Sequence, residues 1–130
     1  MQTREKKGFT LIEIMVVVSI VALLATIAIP NLLKAKMSAN EASSKSTLKS
    51  VANALENYAA LNQSYPTDTT ALLGASPPYL AINYFSGTHF GYTFTSTLAA
   101  YTYTITATPT STNAGTSTFT ITTGGVIQAY

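Results

Sequence analysis

The stretch "KKGFTLIEIMVVVSIVALLATIAIP", residues 6–30, decides how the rest of the chain is read. Between residues 14 and 29 only Ser19 and Thr26 interrupt the apolar run. With residues 9–12 and Leu32-Leu33 it amounts to about 20 residues or more of low polarity, enough for a helix to span a bilayer. One carboxylate, Glu13, lies near its outer end. A carboxylate in hydrocarbon is costly and needs a partner. A cleaved secretory signal is the rival reading, but its apolar core is shorter and a small-residue cleavage site follows it. Here the run is too long, and a helical pattern continues beyond Pro30.

On the N-terminal side lies "MQTREKKG", residues 1–8, whose Arg4, Lys6 and Lys7 favour the cytoplasmic side of a membrane. On the C-terminal side, Pro30 has no N–H and clashes with the carbonyl four residues back, so a bend is expected there. Farther on, Leu48, Val51, Leu55, Tyr58 and Asn62 recur at spacings of three and four, with Ala52 and Ala59 beside them. That is one apolar face of an amphipathic helix; Lys45, Lys49, Asn53 and Glu56 occupy the other. The pattern predicts one helix over residues 9–61, roughly 80 Å long at 1.5 Å per residue. "NQSYPTDTT" then ends it, because the residue before a proline is driven out of the helical region.

After a second turn-rich segment, "GASPPYL" at 74–80, the period changes to two. Phe90, Tyr92 and Phe94 alternate with Gly91, Thr93 and Thr95 in residues 90–96. Tyr101, Tyr103, Ile105 and Ala107 alternate with threonines in 100–108, as do Phe119 and Ile121 in 116–122. "VIQAY", 126–130, makes a short last strand. The connectors "PTSTNAG" and "GG" are good turn chemistry, and their shortness predicts an antiparallel meander. Its aromatic and aliphatic face must be covered, and the Leu48–Leu55–Tyr58 stripe is the available cover. The fold class expected is α+β: a long N-terminal helix, its first half transmembrane, its second half packed on a small antiparallel sheet.

Composition narrows the chemistry. The chain has 130 residues, 9% charged, and a formal net charge of +2, too small an excess to argue for nucleic acid. Every Lys, Arg, Asp and Glu lies at or before Asp68. There is no Cys, hence no disulfide framework, thiolate zinc site or cysteine nucleophile. His89 stands alone, and a metal site needs several ligands. No triad, paired carboxylates or phosphate loop is present, so no enzyme, cofactor or metal is expected. Lys34, Lys36, Lys45 and Lys49 read as solvation and attraction to lipid head groups in preference to DNA capture. The threonines read as a β-forming solvent face in preference to sugar attachment sites, and the aromatics as core in preference to an electron-transfer path.

"KGFTLIEIMVVVSIVALLATIAIPNLLKAK" resembles the N-terminus of type IV pilins and type II secretion pseudopilins. Gly8, Phe9, Thr10, Leu11, Glu13 and Pro30 match, with Ile14 in place of a common leucine. The resemblance implies that a membrane peptidase removes residues 1–8 by cutting between Gly8 and Phe9 and methylates Phe9. It implies assembly through residues 9–33, with residues 34–61 and 62–130 as the helix and the loop-and-sheet part of the globular region. It also supplies a partner for Glu13, the Phe9 amino group of a neighbouring copy. Two opposite charges about 4 Å apart gain about 4 kcal/mol at an effective dielectric near 20, partly offset by desolvation. Glu13 then acts as a register device; a carboxylate snorkelling to the surface is the plainer alternative. Pro30 would loosen the helix for packing. The chain departs from the family in lacking both the C-terminal disulfide of many pilins and the carboxylates of a calcium loop.

The implied partners are further copies of the chain in a helical filament, the prepilin peptidase and inner-membrane assembly machinery; nucleic acid is not expected. The implied location is the bacterial inner membrane before assembly and a surface or periplasmic filament afterwards. A pilus subunit is favoured over a pseudopilin, and a non-polymerising anchored binding module is the third reading. The mature protein should therefore begin at N-methylated Phe9 by intact-mass analysis, and Gly8→Val should leave an uncut precursor. A mature chain starting beyond residue 30 would sink the assignment.

Overall fold

The computed structural model describes residues 8–130. Its elements are α1 (Leu11–Asn62), α2 (Thr70–Leu73), β1 (Tyr92–Ala99), β2 (Thr102–Pro109), β3 (Phe119–Thr122) and β4 (Val126–Ala129). The expected leader lies outside the described residues except for Gly8. The chain divides into two units, Met1–Lys34 and Ala35–Tyr130.

In the first unit the helix has no core of its own. Leu11, Ile14, Val18, Leu23, Ile27 and Leu32 are all exposed, and its most apolar stretch is unburied throughout. Ser19 and Thr26 donate back to the Met15 and Ala22 carbonyls at 2.7 and 2.9 Å, so their hydroxyls are satisfied within the helix. Pro30 lies inside α1 and does not end it.

In the second unit, helix residues 35–62 cover one face of the sheet. Leu48, Val51, Ala52, Ala54 and Leu55 are buried, and Tyr58 packs at the margin of the same core. The helix ends where Gln63 takes a left-handed conformation, φ 60°, its N–H bonded to the Ala59 carbonyl at 2.8 Å. The short helix α2, which the sequence pattern did not predict, plugs buried Leu72 into the core between the two turn-rich segments.

The four strands form an antiparallel meander in the order β1-β2-β3-β4. Register aligns the core-facing side chains in rows: Phe94 opposite Ala107 and Ala107 opposite Phe119, then Ile105 opposite Ile121 and Ile121 opposite half-buried Ile127. Pairing places threonines together on the opposite face, Thr95 with Thr106 and Thr106 with Thr120. β-branched pairs suit a pleated, half-wet surface.

Three details differ from the sequence pattern. Phe90 and Tyr101, read as core by their period, are exposed, because both stand in turns just before their strands begin. Phe90 has φ 55°, which breaks the alternation. Lys45 sets its ammonium 4.5 Å from the Phe119 ring centroid, so a residue assigned to the solvent face lies across the edge of the core. Glu56 likewise turns inward, accepting from the Tyr65 hydroxyl at 3.0 Å and the Tyr103 hydroxyl at 3.1 Å.

That last arrangement carries a pH dependence. Burial raises the Tyr103 phenol above its ordinary value of 10.0, and its hydrogen bond to Glu56 raises it further; Tyr65 shifts in the same direction for the same causes. Neutral phenols are therefore favoured by folding. Their contribution is fully present below about pH 10 and declines as pH rises toward the folded-state values. The melting temperature of the chain from Ala35 onward should be level between about pH 8 and 9.5 and fall steeply above about pH 10. Tyr103→Phe should flatten the fall; an unchanged slope would mean that this phenol does not titrate with unfolding.

Candidate functional site

The residues singled out from the sequence gather at the start of α1. Gly8, Phe9 and Thr10 precede the helix and are exposed, Phe9 with 86% of its surface accessible. A Cβ built on Gly8 would meet nothing within 4 Å. The Gly8–Phe9 peptide bond thus lies in an exposed segment ahead of the helix. Pro30 lies far along the same helix and takes no part in this cluster.

Glu13 occupies the first turn of α1, and its geometry answers the demand for a partner in a way the sequence reading did not foresee. Its Oε2 accepts from the Thr10 backbone N–H at 2.7 Å and from the Thr10 hydroxyl at 2.8 Å. The Glu13 N–H donates in return to Thr10 Oγ1 at 3.3 Å. This is a capping box, in which an N-cap threonine and a glutamate three residues on satisfy each other's orphan backbone donors. The signal for it in the sequence is Thr-x-x-Glu before an apolar run, "TLIE", which coincides with the methylation-motif residues.

Around the carboxylate lie Phe9, Ile12, Val16 and Val17, which with Glu13 line an open groove of about 430 Å³. Spacings of three and four put these side chains on one helix face. Among the described residues no hydrogen bond reaches Glu13 Oε1. The site therefore offers one engaged and one available carboxylate oxygen on an otherwise apolar surface. Such a surface binds a cation strongly only when a second apolar body excludes water from around the pair. Nothing here resembles a catalytic centre. Among the described residues no group of three His, Cys, Asp or Glu side chains could hold a metal ion.

A family model for the prokaryotic N-terminal methylation motif matches residues 3–29. Both that motif and the similarity beyond it are shared with type IV pilins and type II secretion pseudopilins. Similarity to known members extends past the motif. The type II secretion system core protein G of Escherichia coli is 41% identical over an alignment covering 63% of this chain and 59% of that protein. The type IV wide pilus major component of Thermus thermophilus is 41% identical over 54% of this chain and 53% of its own length. The type IV major pilin of Myxococcus xanthus is 34% identical over 66% of this chain and 36% of its own. The chain spans about half the length of the curated relatives it matches. Pilins and pseudopilins are structural subunits, not enzymes.

The capping box has a direct test. Thr10→Val keeps the shape but removes the hydroxyl, which should cost about 1 kcal/mol at the helix start. In micelles the Glu13 amide should then exchange its hydrogen about fivefold faster, and Thr10→Ser should restore the slower rate. Equal exchange in all three proteins would show that the cap is not formed.

Proposed function

We propose that the chain is a structural subunit of a type IV pilus-like filament, polymerised from the inner membrane through its hydrophobic N-terminal helix. The observation that carries this reading is Glu13 standing on the wholly exposed apolar helix, with one oxygen held by Thr10 and the other open. A simple membrane anchor needs no carboxylate there, and desolvation makes one unfavourable. A bundle of copies gives it a use. Processing between Gly8 and Phe9 by a prepilin peptidase would free an N-terminal amine, and a neighbour's amine is the cation that Oε1 would meet. Assembly machinery in the inner membrane would extract the subunit, and the filament would lie on the surface or in the periplasm.

A second reading, a pseudopilin of a type II secretion system, is favoured by the 41% identity to the secretion system core protein G of Escherichia coli. The carboxylate-free chain beyond Asp68 weighs toward the pilus, since it leaves no oxygen cluster for a calcium loop.

Sheared surface filaments from the native organism should contain this protein. Glu13→Ala should leave expression, membrane insertion and Phe9 processing intact while filaments become scarce. Filaments of normal number and length in Glu13→Ala cells would remove the charge pair as the register device. Loss of protein export, with no surface filament in the wild type, would favour the second reading.

A further inference from the structure

The second unit carries a recess at the end from which the chain leaves for the apolar segment. About 320 Å³ in volume, it is lined by Lys36, Asn40, Phe90, Thr110, Ser111 and Asn113, with Gly91 and Ala114 at its base. Among the described residues no carboxylate lines it. Its walls are built rather than loose. Asn40 Nδ2 donates to the Ala114 carbonyl at 2.9 Å, and the Thr110 N–H and hydroxyl both donate to the Gly91 carbonyl at 2.9 Å. Glu41, the nearest acid in sequence, is turned to the Thr116 N–H and hydroxyl at 3.0 and 3.1 Å. Gly91 is required by close approach: at φ 75°, a Cβ there would come within 2.8 Å of Ala114 Cβ.

Beside this polar floor stands Phe90, 53% exposed and held at φ 55°. A left-handed conformation is unfavourable for a residue with a Cβ, and a half-exposed aromatic gains little from burial inside the unit. The ring is presented outward by the fold. Covalent connectivity alone keeps Lys36, three residues beyond Leu33, within about 11 Å of the end of the apolar run. The residues packed around Lys36 share that neighbourhood.

We propose that this recess binds the head group of an anionic phospholipid in the unassembled subunit, with the Lys36 ammonium on the phosphate, the Ser111 and Asn113 side chains as polar contacts and Phe90 in the interfacial layer. The charge is complementary, the donors are neutral or cationic, and an aromatic beside a lysine just past an apolar segment is the pattern of a membrane–water interface. The proposal rests on the apolar segment entering the bilayer.

The chain contains no tryptophan, so a single one reports its own surroundings. Phe90→Trp keeps an aromatic at the same backbone angle. Tyr101→Trp is the reference, since Tyr101 is exposed in the turn beside Ala100, whose carbonyl accepts from Tyr65 just past the far end of the helix. Both full-length proteins are reconstituted into vesicles of phosphatidylcholine with phosphatidylglycerol, with bromine-labelled lipids as quencher. The Phe90→Trp protein should emit at shorter wavelength and be quenched at least about twofold more than the Tyr101→Trp protein. Lys36→Gln, or salt near 1 M, should reduce that quenching, as should vesicles of phosphatidylcholine alone. Equal quenching at the two positions in vesicles that do float with the protein would overturn the head-group site alone. Quenching indifferent to Lys36→Gln and to lipid charge would equally overturn it. Failure of the protein to float with vesicles would overturn both the site and the membrane reading beneath it.

Discussion

An apolar surface that its own fold leaves uncovered is the constraint on which this protein depends. The large apolar side chains from Leu11 to Leu33 are exposed along α1. At roughly 25 cal/mol per Å², so much exposed hydrocarbon cannot persist in water. A bilayer relieves it first. Other copies of the same helix relieve it equally well, because packed apolar side chains replace lipid at little cost. The first unit is therefore incomplete by design of its composition, and its completion lies outside a single chain.

Glu13 gives that otherwise uniform surface a direction. An all-apolar helix packs in many registers, since sliding one copy past another changes few contacts. In the proposed filament a single carboxylate, near one end and half satisfied, would distinguish one register from the rest. The capping box reconciles two demands on this side chain. Its bonds to Thr10 limit the penalty of carrying a carboxylate near hydrocarbon, and they fix the rotamer so that the second oxygen points to a defined place. Fixing the side chain before a partner arrives also reduces the entropy lost on association.

The second unit solves a different problem, stability in a small domain with no disulfide. Its core is thin, one helix face against one sheet face. Polar anchors reinforce its edges: Asn40 and Glu41 hold the long β2–β3 connection to the helix, and Tyr92 reaches from the core to the Ser117 carbonyl at 3.0 Å. Glu56 gathers Tyr65 and Tyr103, themselves edge to face with ring centroids 5.0 Å apart. Most of these contacts span long sequence separations, so they close loops without any disulfide. An outer face of mostly threonine, joined by Val126 and Gln128 on β4, keeps the sheet largely polar without charge.

The sequence by itself determined the segments and their periods. Apolar length marked residues 9–33, spacings of three and four marked the Leu48–Leu55 face, and strict alternation marked the strands; each is a local property that hydrophobic patterning encodes directly. Family likeness in "GFTLIE" located Phe9 and Glu13. What only the tertiary structure decided was the behaviour of residues at boundaries. Phe90 and Tyr101 have core-like period but fall one or two residues outside their strands, where turn geometry and not alternation sets direction. Lys45 and Glu56 carry charges that pattern assigns to solvent, yet long side chains reach Phe119, Tyr65 and Tyr103 across the rim of the core. Those partners lie from 9 to 74 positions away in the chain, and no window of sequence contains both ends of most of them.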